Sequence, residues 1–228
     1  MKILAIDTSG KTASAAVTDG WLLLAEKTVY TTLTHSQIIL PMAKELLSDC
    51  GLNFSDLDGI ACAAGPGSYT GLRIGIAAVK GIAMGCPTLK CAGISTLEAL
   101  AWGCAPYRGR ILPVMRARKD IVYAGLYESD GITVRNILPD RVCAETELEA
   151  MADGALLLTG DCCSEIADTM FADREDIICA PSAMRLQKAS SLCMAFEAAP
   201  ARAVTPDELE AAYLQETKAE KDKAHRDK

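Results

Sequence analysis

Two short stretches hold the residues best suited to chemistry. Asp7-Thr8-Ser9-Gly10 follows the apolar run at residues 3–6, and Gly65-Pro66-Gly67-Ser68 follows the apolar run at 57–64. A carboxylate at a strand end can orient a metal ion or a phosphate. A glycine-rich loop that opens a helix can cradle phosphate oxygens on its backbone N–H groups. Asp7, Thr8, Ser9, Gly65, Gly67 and Ser68 are therefore candidate nucleotide-binding positions. Both stretches also have a plainer reading. Asp-Thr-Ser-Gly is good turn chemistry, with the carboxylate bonding backbone N–H groups two residues on. The second loop lacks the Lys-Ser/Thr ending of a P-loop.

His35 stands at a predicted helix start with no histidine four residues on, and the other histidine, His225, lies in the C-terminal tail. It reads as a surface or partner contact rather than a metal ligand. Ser36 and Ser68 are possible nucleophiles, but neither sits in a G-x-S-x-G elbow. The 10 cysteines are scattered, with no C-x-x-C and Cys162-Cys163 as the one tight pair. They read as small core residues in a reducing cytosol, and no metal or cofactor is expected.

The chain has 228 residues, half of them apolar and 23% charged, enough for one large domain or two small ones. A net charge of −7 argues against holding nucleic acid by its own electrostatics, though not against acting on RNA within a complex. Asp7 ends the first apolar run too early for a signal peptide. No uncharged stretch reaches the roughly 18 residues of a membrane span. A cytoplasmic protein without membrane contact is expected.

The elements that position these residues follow from pattern. Strands are expected at 2–7, 12–18 and 21–29 with a turn at Asp19-Gly20, then a helix at 35–49. Thr34 and Gln37 have capping-box spacing, Ile38, Ile39, Met42 and Leu46 share a face, and Pro41 implies a kink or a start nearer residue 40. A strand at 57–64, a helix at 71–84 capped by Thr70 and closed by Gly85, a strand at 88–92 and a helix from 95 complete the half. In the 71–84 helix, Gly75 and Gly81 each cost roughly 1 kcal/mol against Ala. The seams Gly71/Gly75 and Ala77/Gly81/Gly85 would let another backbone approach closely, and Arg73 and Lys80 make a basic edge.

The second half repeats the order, with strands at 110–117, 121–128 and 132–138 around an Asp130-Gly131 turn. A helix at 145–152, a strand at 155–159, a helix at 163–171, a strand at 176–179 and helices at 182–198 and 206–221 follow, and the charged tail after 218 should fray. The expected fold is α/β: two tandem ribonuclease H-like halves, the second smaller and degenerate. Its domains would be 1–105, 106–205 and a C-terminal helix and tail, 206–228. This is the plan of the actin, sugar-kinase and heat-shock ATPase superfamily, which places an Asp on the hairpin after the first strand of each half. Here the second such hairpin reads Pro113-Val114-Met115-Arg116-Ala117-Arg118, with Arg116 where the carboxylate would be wanted.

Ile3-Leu4-Ala5-Ile6-Asp7-Thr8-Ser9, His35-Ser36-Gln37, the string from Gly65 to Gly75, Ile94-Ser95-Thr96-Leu97-Glu98-Ala99-Leu100 and Ala117-Arg118-Lys119-Asp120-Ile121-Val122-Tyr123-Ala124 together resemble the TsaB family. That family supplies a subunit of the bacterial tRNA threonylcarbamoyladenosine machinery, once labelled glycoprotease-like. The likeness covers residues 1–128; beyond 138 only Tyr213-Leu214 is similar. It implies a non-catalytic subunit that binds and stabilises a catalytic paralogue, TsaD, which transfers threonylcarbamoyl to an anticodon-loop adenosine of tRNA. A small ATPase, TsaE, joins them, and without TsaD the chain should form a homodimer. The family's pairing surface comes from the first two helices of the first half. Carried onto this sequence it implies His35, Ile38, Ile39, Met42, Leu46, Gly71, Leu72, Gly75, Ile76 and Val79. The sequence departs from the pattern at Arg116, where relatives commonly have Asp, and at Gln215, where they commonly have Arg. The alternative, resting on Asp7 and the Gly-Pro-Gly loop, is an actin-like ATPase or a glycoprotease-type metallopeptidase.

Overall fold

Side-chain alternation in the first strand decides how the chain layers. In the computed structural model, which describes residues 1–30 and 32–214, β1 (Lys2–Asp7) sends Leu4 and Ile6 to one face and Ile3 and Ala5 to the other. All four are fully buried, so the strand is covered on both sides. It pairs antiparallel with β2 (Thr12–Asp19) and parallel with β4 (Gly59–Gly65). With β3 (Leu22–Tyr30) and β5 (Lys90–Ser95) at the edges, the order is β3-β2-β1-β4-β5. Helices α1 (His35–Asp49) and α2 (Tyr69–Gly85) cover the Leu4/Ile6 face.

The second sheet repeats this plan with β6 (Gly109–Arg118), β7 (Ile121–Ser129), β8 (Val134–Ala144), β9 (Leu156–Thr159) and β10 (Ile177–Cys179). Its order is β10-β9-β6-β7-β8, and β6 pairs antiparallel with β7 and parallel with β9, as β1 does with β2 and β4. The duplication expected from element order is present. A 3₁₀ stretch at Glu145–Met151 and α4 (Cys163–Met170) cover one face through Leu148, Ile166 and Phe171.

Helix α3 (Thr96–Trp102) lies between the two sheets. Ala99 and Trp102 pack on the first, while Leu97, Leu100 and Ala101 pack against Ile111, Met115 and Leu157 of the second. The last helix, α5 (Ala189–Ala198), buries Leu192 and Phe196 against Ile3, Ala16 and Ala61. It therefore belongs with the first sheet, which corrects the expected boundary that grouped residues 106–205 together.

Other expectations are corrected locally. Ser68, not Thr70, caps α2: its hydroxyl accepts from the Gly71 N–H at 3.2 Å. The Thr34 side chain caps no backbone N–H of α1 and instead donates to the Gln37 side-chain oxygen at 2.7 Å, so no capping box forms. The helix runs from His35 with Pro41 inside it, rather than starting near residue 40. The stretch at 182–198 splits into a 3₁₀ turn, Ser182–Met184, and α5. The described part of the expected 206–221 helix is not helical; residues 204–214 form an irregular strap with a turn at 206–208. Gln215 and the charged tail lie outside the described residues. All 10 cysteines are free, and burial pushes the thiols of Cys163 and Cys193 up to about 12, as suits core residues.

Candidate functional site

The Asp7 loop and the glycine string are packed onto one another. Asp7 is fully buried, and its Oδ1 accepts from the Ser9 N–H at 2.9 Å and the Ser9 hydroxyl at 2.7 Å. Oδ2 is buried without a hydrogen-bond partner. Burial pushes this carboxyl up, while the Ser9 bonds and the His35 charge work in the opposite direction. Thr8 donates to the Gly71 carbonyl at 2.7 Å, and the Ser68 N–H donates to the Ser9 carbonyl at 2.7 Å.

The glycines make this contact possible. A Cβ on Gly71 would stand 2.0 Å from the Thr8 carbonyl oxygen, and one on Gly67 2.5 Å from that of Ser9. A Cβ on Gly75 would come 2.7 Å from the Thr8 hydroxyl. Gly65, at φ +128°, faces the Ala212 carbonyl. The string is therefore filled by the chain's own backbone. The turn reading of Asp7-Thr8-Ser9 and the cradle reading of the loop describe two sides of one internal seam.

In the second half, the Arg116 guanidinium pairs with the Glu145 carboxylate and with Glu165 at 2.9 Å, and the Arg116 backbone N–H donates to Asp161 at 2.9 Å. A carboxylate there could add a second anchor for a metal–phosphate complex; a guanidinium held by acids cannot. Among the described residues, no group of three or more His, Cys, Asp or Glu side chains is placed to hold a metal ion. His35 is half-buried at the start of α1.

The ten side chains expected on a docking face divide differently in the structure. Ile39, Met42, Leu46, Leu72, Ile76 and Val79 are buried in this chain's own core, and Gly71 and Gly75 turn inward onto Thr8. Their apolar periodicity reports packing on the first sheet, so these positions are corrected to structural ones. Only His35 and Ile38 keep partial exposure. The outward faces of α1 and α2 instead form an open apolar groove lined by Leu40, Lys44, Phe54, Ala77, Gly81, Ile82 and Gly85. A Cβ on Gly81 or Gly85 would meet nothing within 4 Å. The Ala77/Gly81/Gly85 seam was thus legible, but α2 is apolar nearly all round, so periodicity did not say which seam faced out.

The basic edge of α2 is covered by the C-terminal strap, which sequence reasoning missed. Val204 exchanges backbone hydrogen bonds with Cys91, Leu209 is buried in the first core, and the Ala212 N–H donates to the Ala64 carbonyl at 2.7 Å. Arg73 lies 4.1 Å from the Tyr69 ring centre and donates to the Tyr213 hydroxyl at 3.1 Å. Lys80 donates to the Asp207 carbonyl at 3.4 Å.

Comparison with known proteins gives a consistent result. The family described as TsaD: tRNA N6-adenosine threonylcarbamoyltransferase matches residues 30–220. The tRNA threonylcarbamoyladenosine biosynthesis protein TsaB of Bacillus subtilis (strain 168) is 38% identical over 141 residues, 62% of this chain and 61% of that protein. Its namesake in Escherichia coli (strain K12) is 37% identical over 132 residues, 57% of this chain and 56% of that protein. These matches therefore span less than two thirds of the relatives' length. The structure of YeaZ from Pseudomonas aeruginosa superposes with a TM-score of 0.82 at 26% identity, covering 93% of this chain and 99% of that one. Component A of the Acidaminococcus fermentans (R)-2-hydroxyglutaryl-CoA dehydratase shares the fold alone, at a TM-score of 0.51 and 11% identity over 88% of this chain and 99% of that one.

Proposed function

The chain belongs to the tRNA N6-adenosine threonylcarbamoyltransferase family, and from that premise we propose that it is a non-catalytic subunit of tRNA threonylcarbamoyladenosine biosynthesis. In this reading it docks on the catalytic paralogue TsaD, works alongside the ATPase TsaE, and meets tRNA only through that complex, in the cytoplasm. The observation that carries the reading is Arg116. Where metal–phosphate chemistry calls for a second carboxylate, the second half holds a guanidinium tied to Glu145 and Glu165.

Docking draws support from the open groove between α1 and α2. It combines apolar side chains with a glycine seam that admits a neighbouring helix at close range. In the absence of the paralogue, the same groove would close on a second copy about a two-fold axis. No helix of the described residues is long and apolar enough to cross a membrane.

The test is co-expression with TsaD and size determination of the purified product. A stable heterodimer that Gly81→Arg abolishes, in a variant that still folds, is the expected result. Unchanged assembly in Gly81→Arg would remove the groove from the account, and failure to co-purify at all would remove the subunit role.

A further inference from the structure

Two-lobed folds joined by few chain crossings have a hinge at the crossings by default. Here the chain passes between the sheets at residues 102–109 and again at 180–189. A buried polar contact at the second crossing, and a half-buried one at the start of the helix that leads into the first, span both halves.

At the second crossing, Gln187 is 1% exposed. Its backbone carbonyl accepts from the Thr12 hydroxyl of β2 at 3.2 Å, and its side-chain Nε2 lies 3.6 Å from the Met115 sulfur of β6. Its amide fills the space above Gly10, where a Cβ would come within 2.5 Å of Oε1. The Gln187 backbone therefore holds the first sheet, while its side chain lies against the loop after β1 and reaches the second sheet.

At the start of α3, which leads into the first crossing, Asp140 of β8 accepts from the Tyr127 hydroxyl at 2.6 Å and from the Ser95 hydroxyl. Ser95 is also the N-cap of α3, accepting from the N–H groups of Leu97 at 3.1 Å and Glu98 at 3.3 Å. Its hydroxyl thus links the start of α3 to the second sheet. Separation of the halves would break this link and draw Leu97, Leu100 and Ala101 off Ile111 and Leu157.

We propose that Gln187 and Asp140 form a two-point clasp that fixes the halves relative to each other, so that this chain does not open and close about its crossings. The chain would then present a rigid shape to its surroundings whatever occupies its outer faces.

Native-state amide hydrogen exchange on the full chain tests this, in Gln187→Ala, Asp140→Ala, the double variant and Tyr127→Phe. The clasp predicts that amides at 102–109 exchange about tenfold faster in Asp140→Ala, and that those at 180–189 exchange several-fold faster in Gln187→Ala, which loses the side-chain contact with Met115 and keeps the backbone bond to Thr12. The double variant should be faster again, with β1 and β6 amides keeping wild-type protection. Tyr127→Phe, which leaves the Ser95–Asp140 bond in place, should not change the crossings. Unchanged crossings in the double variant would overturn the clasp, as would crossings and central strands accelerating together. Should Asp140→Ala fail to fold, Gln187→Ala alone decides by the same criteria.

Discussion

Thr8 and Gly71 meet at both ends of one contact. The Thr8 hydroxyl donates to the Gly71 carbonyl at 2.7 Å, and the Thr8 carbonyl oxygen lies where a Cβ on Gly71 would stand, at 2.0 Å. This pair welds the loop after β1 to the first turn of α2. The glycine string, which invites a ligand reading, is in this molecule a device for bringing two backbones together.

Two glycines of the same helix should then respond oppositely to a methyl group. Gly71→Ala forces the loop from the helix and should cost about 1–3 kcal/mol in urea unfolding. Gly81→Ala enters open space and should gain about 0.5–1 kcal/mol from restored helix propensity. A loss at both positions would contradict the assignment of inner and outer seams.

Much of the fold was legible because it is local. The alternation in Lys2–Asp7, the Asp19-Gly20 turn and the four α-helices through Met170 are set by neighbours in sequence, whereas the helix expected at 145–152 is a 3₁₀ stretch. What was hidden depends on distant partners. Ser68 caps α2, and Thr70 does not, because the Ser68 N–H is held by the Ser9 carbonyl. The strap is not a helix because β5 and β4 offer its backbone hydrogen bonds, at Cys91 and Ala64, that a helix would forgo. Side chains such as Ile39 and Val79 looked like a docking face because a core face and an interface share one apolar pattern.

Asp7 should make stability depend on pH in a defined sense. Burial holds its folded-state pKa above the ordinary aspartate value, so the folded state keeps the proton where the unfolded state has lost it. Stability contributed by this site therefore falls as pH rises from the unfolded value through the folded one. Asp7→Asn removes that dependence. The difference between wild type and variant in urea melts should grow in the variant's favour as pH is raised from 4; a constant difference would contradict it.

The strap is anchored by its apolar residue more than by its exposed tyrosine. Leu209→Ala should cost about 2–4 kcal/mol, since Leu209 is buried in the first core. Tyr213→Phe, which loses only the exposed bond from Arg73, should change stability by under about 0.5 kcal/mol. Equal effects would place the strap's hold elsewhere.

Core and groove positions on α1 separate by the same logic. Ile39→Asp puts a carboxylate into the first core and should prevent folding, whereas Leu40→Asp, at a residue 39% exposed, should leave the melting midpoint nearly unchanged. Leu40→Asp should still lose the paralogue in co-purification. Retained binding by Leu40→Asp would count against the groove.

The central claim is that this chain supports transfer without performing it. Threonylcarbamoyl incorporation into tRNA, measured with purified TsaD and TsaE and with this chain omitted, added as wild type, or added as Gly81→Arg, tests that directly. The account predicts activity only with the wild-type chain and none from this chain by itself. Incorporation by this chain without TsaD, or full activity when it is omitted, would contradict it.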